Sequence, residues 1–599
     1  MVMPGLEPWS AVNGLLVDVA MGRCPADLVV RGGRWVNVHS GEVIPDTDIA
    51  VAAGRFAYCG PDASHCIGED TQVIEADGRY LVPGLCDAHM HVESGMVTVT
   101  EFCRAVIPHG TTTMFIDPHE IGNVLGLAGV RLMHDEAMAQ PVNVFVQMPS
   151  CVPSAPGLEH AGATLTADDV REAMGWPNMI GLGEMMNFPG IVGGDPQMLE
   201  EVAATMEAGR TVGGHYASPD LGRAFHAYAA GGPADDHEGT RMEDAIARVR
   251  QGMTAMLRLG SAWYDVEAQI RAVTEEGLDP RKFVLCTDDS HSGTLVHHGH
   301  MNRVVRHAIS CGCPPVTAIQ MASVNTAEHF GMGREIGSIA PGRRADMVLT
   351  GDLEALPIET VIARGEVVAE GGTLSVDLPP YGYPAEAKGT IRLGRELAAD
   401  DFAVAAPAGR SRVSARVIGV VENQAPTEAL TRTLPVVDGK VEGQGDTCMI
   451  ALVERHRGTG AGVNGFVAGF GYDRPMAMAT TVAHDAHHMI VVGTSRGDMA
   501  LAANRLGEVG GGAVLFADGE ERALVELPIA GLMSDEPSPV VAEKADRLLA
   551  AMAECGCTLN NAYMQHTLLA LVVIPALRIS DVGLVDVTRF EPVDLFVAD

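Results

Sequence analysis

The stretch LVPGLCDAHMHVESGMVT, residues 81–98, holds the densest group of titratable side chains in the chain. After the turn at Pro83-Gly84 come Asp87, His89, His91 and Glu93, all within seven positions. Alternate residues of a strand point to the same face, so we expect Asp87, His89 and His91 to share one face. Paired imidazoles at the end of a buried strand are typical of a metal site.

Apolar runs of strand length recur after this stretch, and each is followed by a segment long enough for a helix. They are TTTMFID (111–117), VNVFVQM (142–148), MIGLGE (179–184), TVGGHY (211–216), MTAMLRL (253–259) and FVLCTDD (283–289). The opening strand and a weaker strand before His237 bring the number to eight. Buried strands that alternate with helices form a parallel sheet, and eight units over about 250 residues predict a (β/α)8 TIM-type barrel.

Short β-runs separated by Gly and Pro-Asp turns flank the barrel on both sides, so the barrel is predicted to be inserted in a small β domain. A Pro/Gly-rich linker and a C-terminal domain of mixed α/β character follow. The predicted division is 1–82 for an N-terminal helix and the first part of the small β domain, 83–332 for the barrel, 333–376 for the second part of the β domain, 377–399 for the linker and 400–599 for the C-terminal domain.

The chain is strongly acidic, with 77 Asp and Glu against 41 Lys and Arg and a formal charge of −36. A field of this sign argues against nucleic acid or an anionic membrane surface as a partner. The N-terminus lacks the basic and apolar regions of a secretory signal, and no run of about 20 apolar residues predicts a membrane span. These features predict a cytoplasmic protein.

Further candidate ligands stand at the ends of later barrel strands: His215, His237 and Asp288. Each alone is more often a structural histidine or a helix-capping aspartate, but the carboxyl ends of barrel strands meet at one mouth. A two-metal site also needs a bridging anion, and some barrel hydrolases use a carboxylated lysine. Lys282 is the one lysine in the barrel segment and precedes the last strand, so we expect Glu184 to bridge instead.

The segments PGLCDAHMHVESGM, TTTMFIDPHEIGNVLG, LCTDDSHSGTL and TTVAHDAHHMIVVG resemble the adenine deaminases of the metal-dependent amidohydrolase superfamily. The resemblance covers nearly the whole chain; Glu93, the DPHE segment and the late histidine cluster narrow it to this branch. It implies hydrolysis of adenine to hypoxanthine and ammonia, homodimers or higher homo-oligomers, and two divalent ions, iron or manganese, with zinc also possible. The implied ligands are His89, His91, Glu184, His215, His237 and Asp288.

In the expected mechanism, a hydroxide activated by the two metals attacks C6 of the purine, and Asp288 accepts its proton. Glu120 and Glu238 are the candidates for a second acid. The cluster HDAHH (484–488) forms a small metal site of its own, closes the barrel mouth, or is simply a polar turn. Groups expected to support the ligands or contact the substrate are Asp87, Glu93, Asp117, His119, Asp289, His484, Asp485, His487 and His488.

Two other functions compete with deamination. One is a cyclic-amide hydrolase or N-acetyl sugar deacetylase on the same scaffold, although a deacetylase favours a single metal and a basic phosphate-binding patch, which this lysine-poor barrel does not show. The other is a catalytically inactive barrel kept as an assembly subunit. Such a subunit usually loses several ligands, whereas all six are present here.

Overall fold

The computed structural model describes residues 6–597. After a helix at Trp9–Ala20, a mostly antiparallel sheet gathers strands from both sides of the barrel. Tyr80–Pro83, which leads into the barrel, pairs antiparallel with Met347–Thr350, the first strand after it. The strands of this sheet are Leu28–Asn37, Glu42–Ala52, Arg55–Gly60, Gln72–Glu75, Tyr80–Pro83, Met347–Thr350, Thr360–Ala363, Glu366–Glu370 and Thr373–Leu374. The barrel is therefore inserted in this sheet, as the sequence predicted.

Eight parallel strands of the described chain form the TIM-type barrel, which confirms the predicted fold class. They are Leu85–His91, Thr111–Ile116, Asn143–Met148, Met179–Met185, Thr211–Gly214, Asp235–Asp236, Thr254–Arg258 and Phe283–Cys286, the last continued by Asp288–Asp289. Asp288–Asp289 pairs with the first strand and closes the ring. Between the fifth and sixth strands, the Asp235 carboxylate takes a ladder position by accepting the Gly214 N–H at 2.8 Å.

Helices surround the barrel and fill the space between its strands and the solvent. Their bounds are Val99–Val106, His119–Leu125, Leu127–Met138, Ala167–Ala173, Phe188–Gly193, Pro196–Glu207, Arg223–Ala230, Met242–Arg250, Val266–Gln269, Arg271–Thr274, Ser292–His297, Met301–Ser310, Pro315–Met321 and Val324–His329. A separate apolar cluster joins alternate residues of several strands, with Phe330 stacked on Phe115 at 3.9 Å. No helix of residues 6–597 has the length and apolar character needed to cross a bilayer.

The C-terminal part is built on a large, mainly antiparallel sheet and a small three-stranded one. The large sheet contains Val404–Ala405, Arg412–Gly419, Glu428–Val437, Lys440–Val441, Thr447–Val453, Gly462–Ala468, Met476–Thr480, Met489–Gly493, Gly512–Ala517 and Glu520–Glu526. The small sheet contains Leu577–Ser580, Gly583–Asp586 and Glu591–Val593, and the helices are Arg496–Val509, Ser538–Glu554 and Ala562–Thr567. Mixed α/β character was predicted here; the domain boundaries given above stay a prediction.

The expectation that Asp87 faces the same way as His89 and His91 does not hold. The register between the first and second barrel strands shifts between Asp87 and Met90, and such a shift breaks strict alternation. The Asp87 carboxylate accepts the Thr287 N–H at 3.1 Å and lies 3.0 Å from Nε2 of His300. Asp87 therefore holds the backbone just before Asp288 and does not contact the histidine rings of the barrel mouth.

Candidate metal centre and substrate cavity

The six residues predicted as ligands come together at the carboxyl end of the barrel. His89 and His91 belong to the first strand, Glu184 to the fourth, and His215, His237 and Asp288 follow or end later strands. All six are buried, none more than 4% exposed. The ligand atoms of His89, His91 and Asp288 lie within 4.8 Å of one another, as do those of His89, Glu184 and His237.

Glu184 occupies the centre of this cluster. One carboxylate oxygen, Oε1, lies 3.2 Å from Nε2 of His91, and the other, Oε2, lies 3.1 Å from Nε2 of His237. Oε2 also contacts Nδ1 of His215. Burial raises the pKa of Glu184, but His215 and His237 outweigh it and hold the pKa well below the usual value. The two oxygens thus face two different sets of histidines, which is the arrangement of a bridging carboxylate.

Asp288 stands on the His91 side of the cluster. Its Oδ1 lies 3.1 Å from Nε2 of His91, and its Oδ2 accepts a hydrogen bond from Arg258 at 2.7 Å. Burial raises the pKa of Asp288, yet the hydrogen bond to His91 and the Arg258 guanidinium outweigh it and keep the carboxyl ionised. Its φ of +57° turns the chain sharply at the point where the eighth strand rejoins the first.

The donor set fits divalent cations. Among the described residues, the buried Nε2 atoms of His89 and His215 have no hydrogen-bond partner. Burying a polar atom without a partner costs free energy, and bonds to metal ions would give each of these two nitrogens a partner. Imidazole nitrogens combined with carboxylate oxygens suit zinc, iron and manganese alike. The residues present can therefore hold metal ions, although they do not choose between these elements.

The DPHE segment supports this cluster from the second strand. The Asp117 carbonyl lies 2.9 Å from Nδ1 of His91, and its carboxylate accepts the Glu184 N–H at 2.8 Å. Such contacts orient ligand side chains. His119 Nδ1 lies 3.4 Å from Oε1 of Glu184, while its Nε2 lies 3.4 Å from Oδ1 of Asp485. Asp117 thus positions two ligands, and His119 connects the cluster to the C-terminal part.

Glu93, Glu120 and Asp289 form a buried acidic group beside the metal cluster. The Ser94 hydroxyl is within hydrogen-bonding distance of both Glu120 and Asp289, although it has one proton to donate. Burial raises the pKa of Glu120, and burial together with Glu120 raises that of Glu93 to about 8. Glu93 accepts the Ile121 N–H at 3.2 Å. Glu93 therefore keeps its proton near neutral pH.

The side chains of the late cluster HDAHH contact two different parts of the molecule. His484 Nδ1 lies 3.3 Å from Oε1 of Glu120, and Asp485 contacts His119. His487 instead accepts the Ala483 N–H at its Nδ1, and His488 Nε2 lies 2.8 Å from the His160 carbonyl. The first two residues of the cluster reach the barrel mouth, whereas the last two do not line the catalytic cavity.

Arg258 is a site residue that the sequence analysis missed. Its guanidinium joins two buried carboxylates and one partly buried carboxylate, because it contacts Glu238, donates to Asp288 at 2.7 Å and donates to Asp265 at 2.9 Å. Burial raises the pKa of Glu238, but Arg258, His215 and His237 outweigh it and hold the pKa below the usual value. An arginine at the end of the apolar run MTAMLRL was a signal that could have revealed it.

An apolar wall covers the metal cluster. The cavity enclosed by cluster and wall has about 30 Å³ of free volume, enough for one or two water molecules. The apolar residues that line it are Met186, Trp263, Ala425, Leu568, Leu571 and Ile574. Four of these six belong to the C-terminal part, and the sequence analysis found none of them. Apolar residues in a C-terminal helix and loop carry no sign that they face a distant metal site.

Comparisons with known proteins agree with this architecture. The profile of the amidohydrolase family matches residues 80–368, and that of the adenine deaminase C-terminal domain matches residues 424–591. "Adenine deaminase 3" of Rhizobium meliloti (strain 1021) is 71% identical over 594 residues, covering 99% of this chain and 100% of the relative. "Adenine deaminase" of Mesorhizobium japonicum is 71% identical over 593 residues, covering 99% and 98%.

A third relative, "Adenine deaminase" of Ruegeria sp. (strain TM1040), is 69% identical over 585 residues and covers 98% of this chain and 97% of its own length. Similarity of this degree over the full length favours adenine deamination over the alternative functions of a cyclic-amide hydrolase, a sugar deacetylase or an inactive subunit. From the barrel cluster to the C-terminal wall, the chain belongs to the adenine deaminase family within the amidohydrolases.

Proposed function

We propose that this protein hydrolyses adenine to hypoxanthine and ammonia, with two divalent metal ions held at the barrel mouth. The observation that carries this proposal is the position of Glu184, whose two carboxylate oxygens face two different sets of histidines. Family membership supports the reaction class and the substrate. No feature of the site favours a second function.

His89, His91 and Asp288 would hold one ion, His215 and His237 the other, and Glu184 both. Metal ions, when bound here, depress the pKa of a bound water and supply a nucleophile near neutral pH. Iron and manganese are the elements we expect, with zinc accepted by the same donors. The chain's own residues then position the purine, exclude other water and move protons.

Asp288 is the group proposed to accept the proton that the attacking water loses. It is ionised, it lines the cavity, and Arg258 fixes its outer oxygen. As the water oxygen bonds to C6 of adenine, the proton accepted by Asp288 passes to the ring nitrogen next to C6. The hydroxyl now on C6 then gives its remaining proton to the amine through Asp288. The C6–N bond breaks, the amine leaves as ammonia, and the C6=O bond of hypoxanthine forms. Proton transfer by a positioned carboxylate typically contributes about 10²–10⁴-fold.

Between the two candidates for the second acid, we favour Glu238 for direct contact with the purine. Glu238 lines the cavity and lies 3.7 Å from Nε2 of His237, whereas Glu120 does not line it. Because Glu238 is ionised beside Arg258, it would accept a proton and pass it on. Glu120 stands behind the cavity, where the Ser94 hydroxyl lies between it and Asp289.

The apolar wall would bind the faces of the purine ring. Trp263 and Met186 come from the barrel, while Leu568, Leu571 and Ile574 come from the C-terminal part. A planar aromatic base gains most from such contacts when water is excluded. Because the free space is smaller than a purine, side chains that line the cavity must move for adenine to enter. We also expect a cytoplasmic homo-oligomer, as the family resemblance implies.

The test is a direct assay of the metal-loaded protein. Manganese- or iron-loaded protein mixed with adenine should release ammonia and form hypoxanthine in equal amounts, followed by ultraviolet absorbance and an ammonia assay. Cyclic amides and N-acetyl sugars, tested in parallel, should not react. No turnover of adenine with manganese, iron or zinc would overturn the proposal.

A further inference from the structure

A second cavity lies beside the barrel mouth, and none of the groups described so far explains it. It has about 480 Å³ of free volume and is formed by loop 259–264, helix Met301–Ser310 and the C-terminal helix Ser538–Glu554. This volume is in the range of sites for small organic molecules. We call this cavity the basic pocket, after the arginine and histidine side chains that line it. The expectation that the barrel has no basic patch does not hold here, because the patch consists of arginines and histidines and contains no lysine.

Two arginines of the basic pocket lack an acidic partner in the described part of the chain. Arg303 donates to the carbonyls of Leu259 and Gly260, at 3.3 and 3.1 Å, and Arg306 donates to the His298 carbonyl at 3.1 Å. Burial lowers the pKa of both guanidinium groups, and Arg303 lowers that of Arg306 further. No carboxylate in the described part of the chain therefore pairs with the positive charges of these two arginines.

This lack of compensation stands out in a chain with 77 acidic and 41 basic residues. Asp546 is the one acid among the residues that line the pocket, and it is already paired with His297 at 2.9 Å. A concave, partly dry site with uncompensated cations concentrates anions, because its low-dielectric walls weaken screening.

Neutral donors and apolar surfaces complete the pocket. His291 is 1% exposed, lines the cavity, and has an Nε2 atom without a hydrogen-bond partner among the described residues. Asn560 contributes a side-chain amide, and Leu259 and Leu549 contribute apolar surface. A ligand with a charged end and a larger, less polar body would satisfy all of these groups.

We propose that the basic pocket binds a phosphate-bearing small molecule of about mononucleotide size, with Arg303 and Arg306 holding the phosphate. The planar guanidinium group matches the oxygens of a phosphate and favours it over a single point charge. The volume accommodates the remainder of a nucleotide beside the apolar side chains of Leu259 and Leu549.

The pocket is connected to the catalytic cavity through one loop. Arg303 holds the first carbonyls of this loop, the Ser261 N–H donates to the Asp289 carbonyl at 2.9 Å, and Trp263 donates to the Asp289 carboxylate at 3.3 Å. A phosphate bound to Arg303 would alter the hydrogen bonds that Arg303 donates to this loop, and would thereby change the position of the backbone that carries Trp263. An effect of the ligand on catalysis rests on the proposed function, whereas its binding does not.

The experiment is calorimetric titration of the metal-loaded, full-length protein with adenosine 5′-monophosphate, inorganic phosphate and adenosine. The monophosphate should bind saturably, inorganic phosphate more weakly, and adenosine weakest of the three. Arg306→Ala should weaken binding of the monophosphate by about tenfold or more. Arg306→Lys should weaken it by less, because lysine keeps the positive charge but lacks the planar, paired N–H donors of the guanidinium group. Arg271→Ala removes an exposed arginine paired with Glu275 outside the pocket and should leave binding unchanged.

Three results would overturn the proposal: no saturable binding of the monophosphate up to about 10 mM, binding unchanged by Arg306→Ala, or adenosine binding as tightly as its monophosphate. Unfolding temperatures of the variants should match that of the wild type, which excludes misfolding as the cause. The kcat/KM for adenine with and without the monophosphate gives the second readout. Binding without any deaminase activity would refute the proposed function and leave this site standing.

Discussion

Two histidine-rich regions meet at the barrel mouth, and they are built in different ways. In the barrel, side chains from strands far apart in sequence converge on Glu184 because the fold places all strand ends together. In the C-terminal cluster, neighbours in sequence separate. His484 approaches Glu120, whereas His488 approaches the His160 carbonyl. Residues that are neighbours in sequence therefore need not be neighbours in this site. Residues at the same place in successive strand–helix units, such as the ends of the barrel strands, do lie close together.

The difference assigns different roles to the two regions. The barrel region carries the metal ligands and the charges that balance them. The C-terminal region supplies His484, Asp485 and most of the apolar wall, all of which lie against the cavity. We therefore expect changes in the barrel region to alter metal content, and changes in the C-terminal region to alter turnover of the purine without loss of metal.

The largest effect is expected for Glu184→Gln. An amide loses the negative charge that faces both sets of histidines, so the protein should lose one of its two metal equivalents and about 10²–10⁴-fold in kcat. Mass spectrometry of bound metal and steady-state kinetics measure both. The matched control is Glu201→Gln, a buried glutamate in helix Pro196–Glu207 that accepts from Gln197. Full metal content and full rate in Glu184→Gln would remove the bridging role.

Arg258→Met should destabilise the barrel region strongly. It leaves the buried carboxylates of Glu238 and Asp288 and the partly buried one of Asp265 without their cation, and breaking a buried ion pair in this way costs about 3–5 kcal/mol. Urea unfolding of the metal-free protein measures the loss. Arg271→Met breaks an exposed pair with Glu275 and should cost no more than about 1 kcal/mol. Equal losses in the two variants would show that Arg258 is not structurally central.

His484→Ala tests the C-terminal region at the mouth. Loss of the imidazole beside Glu120 should lower kcat/KM for adenine by about 10–100-fold, as for other residues that support an active site from outside the ligand set. Asp485→Asn, which weakens the contact with His119, should act in the same direction. Rates within twofold of the wild type in both variants would place the C-terminal cluster outside catalysis.

The smallest effect is expected for His488→Ala, the matched control for His484→Ala within the same cluster. Its ring lies against the His160 carbonyl and away from the cavity, so kcat/KM should stay within about twofold. The free energy of unfolding should fall by about 0.5–1.5 kcal/mol, because the partly buried hydrogen bond to the carbonyl of the exposed His160 is lost. A drop in kcat/KM as large as that of His484→Ala would contradict the division of the cluster.

Much of the barrel could be predicted from the sequence, for a physical reason. Buried parallel strands are continuous apolar runs, so a titratable residue that ends one is conspicuous, as His215 and Asp288 are. The (β/α)8 rule then places those ends at one mouth. Arg258 was open to the same reasoning. Asp87 was placed on the wrong face because alternation fails at a register shift, which the residue types do not announce.

The C-terminal wall could not be predicted in this way. Leu568, Leu571 and Ile574 look like any buried apolar residues, and their contact with the cavity depends on how distant elements pack. The same holds for the basic pocket: its arginines lie on the one helix Met301–Ser310, but the pocket forms only because loop 259–264 and helix Ser538–Glu554 pack beside that helix. The direction of each side chain in HDAHH depends on the turn that the backbone makes, and the spacing of the histidines gives no indication of it.

The barrel is proposed to bind the metals and the C-terminal part to contact the substrate, and the metal content of His484→Ala tests this division of roles most directly. We predict the same two equivalents per chain as in the wild type, measured by mass spectrometry after loading with manganese, together with a reduced kcat/KM for adenine. Loss of an equivalent in His484→Ala, with both equivalents kept in Glu184→Gln, would contradict the account.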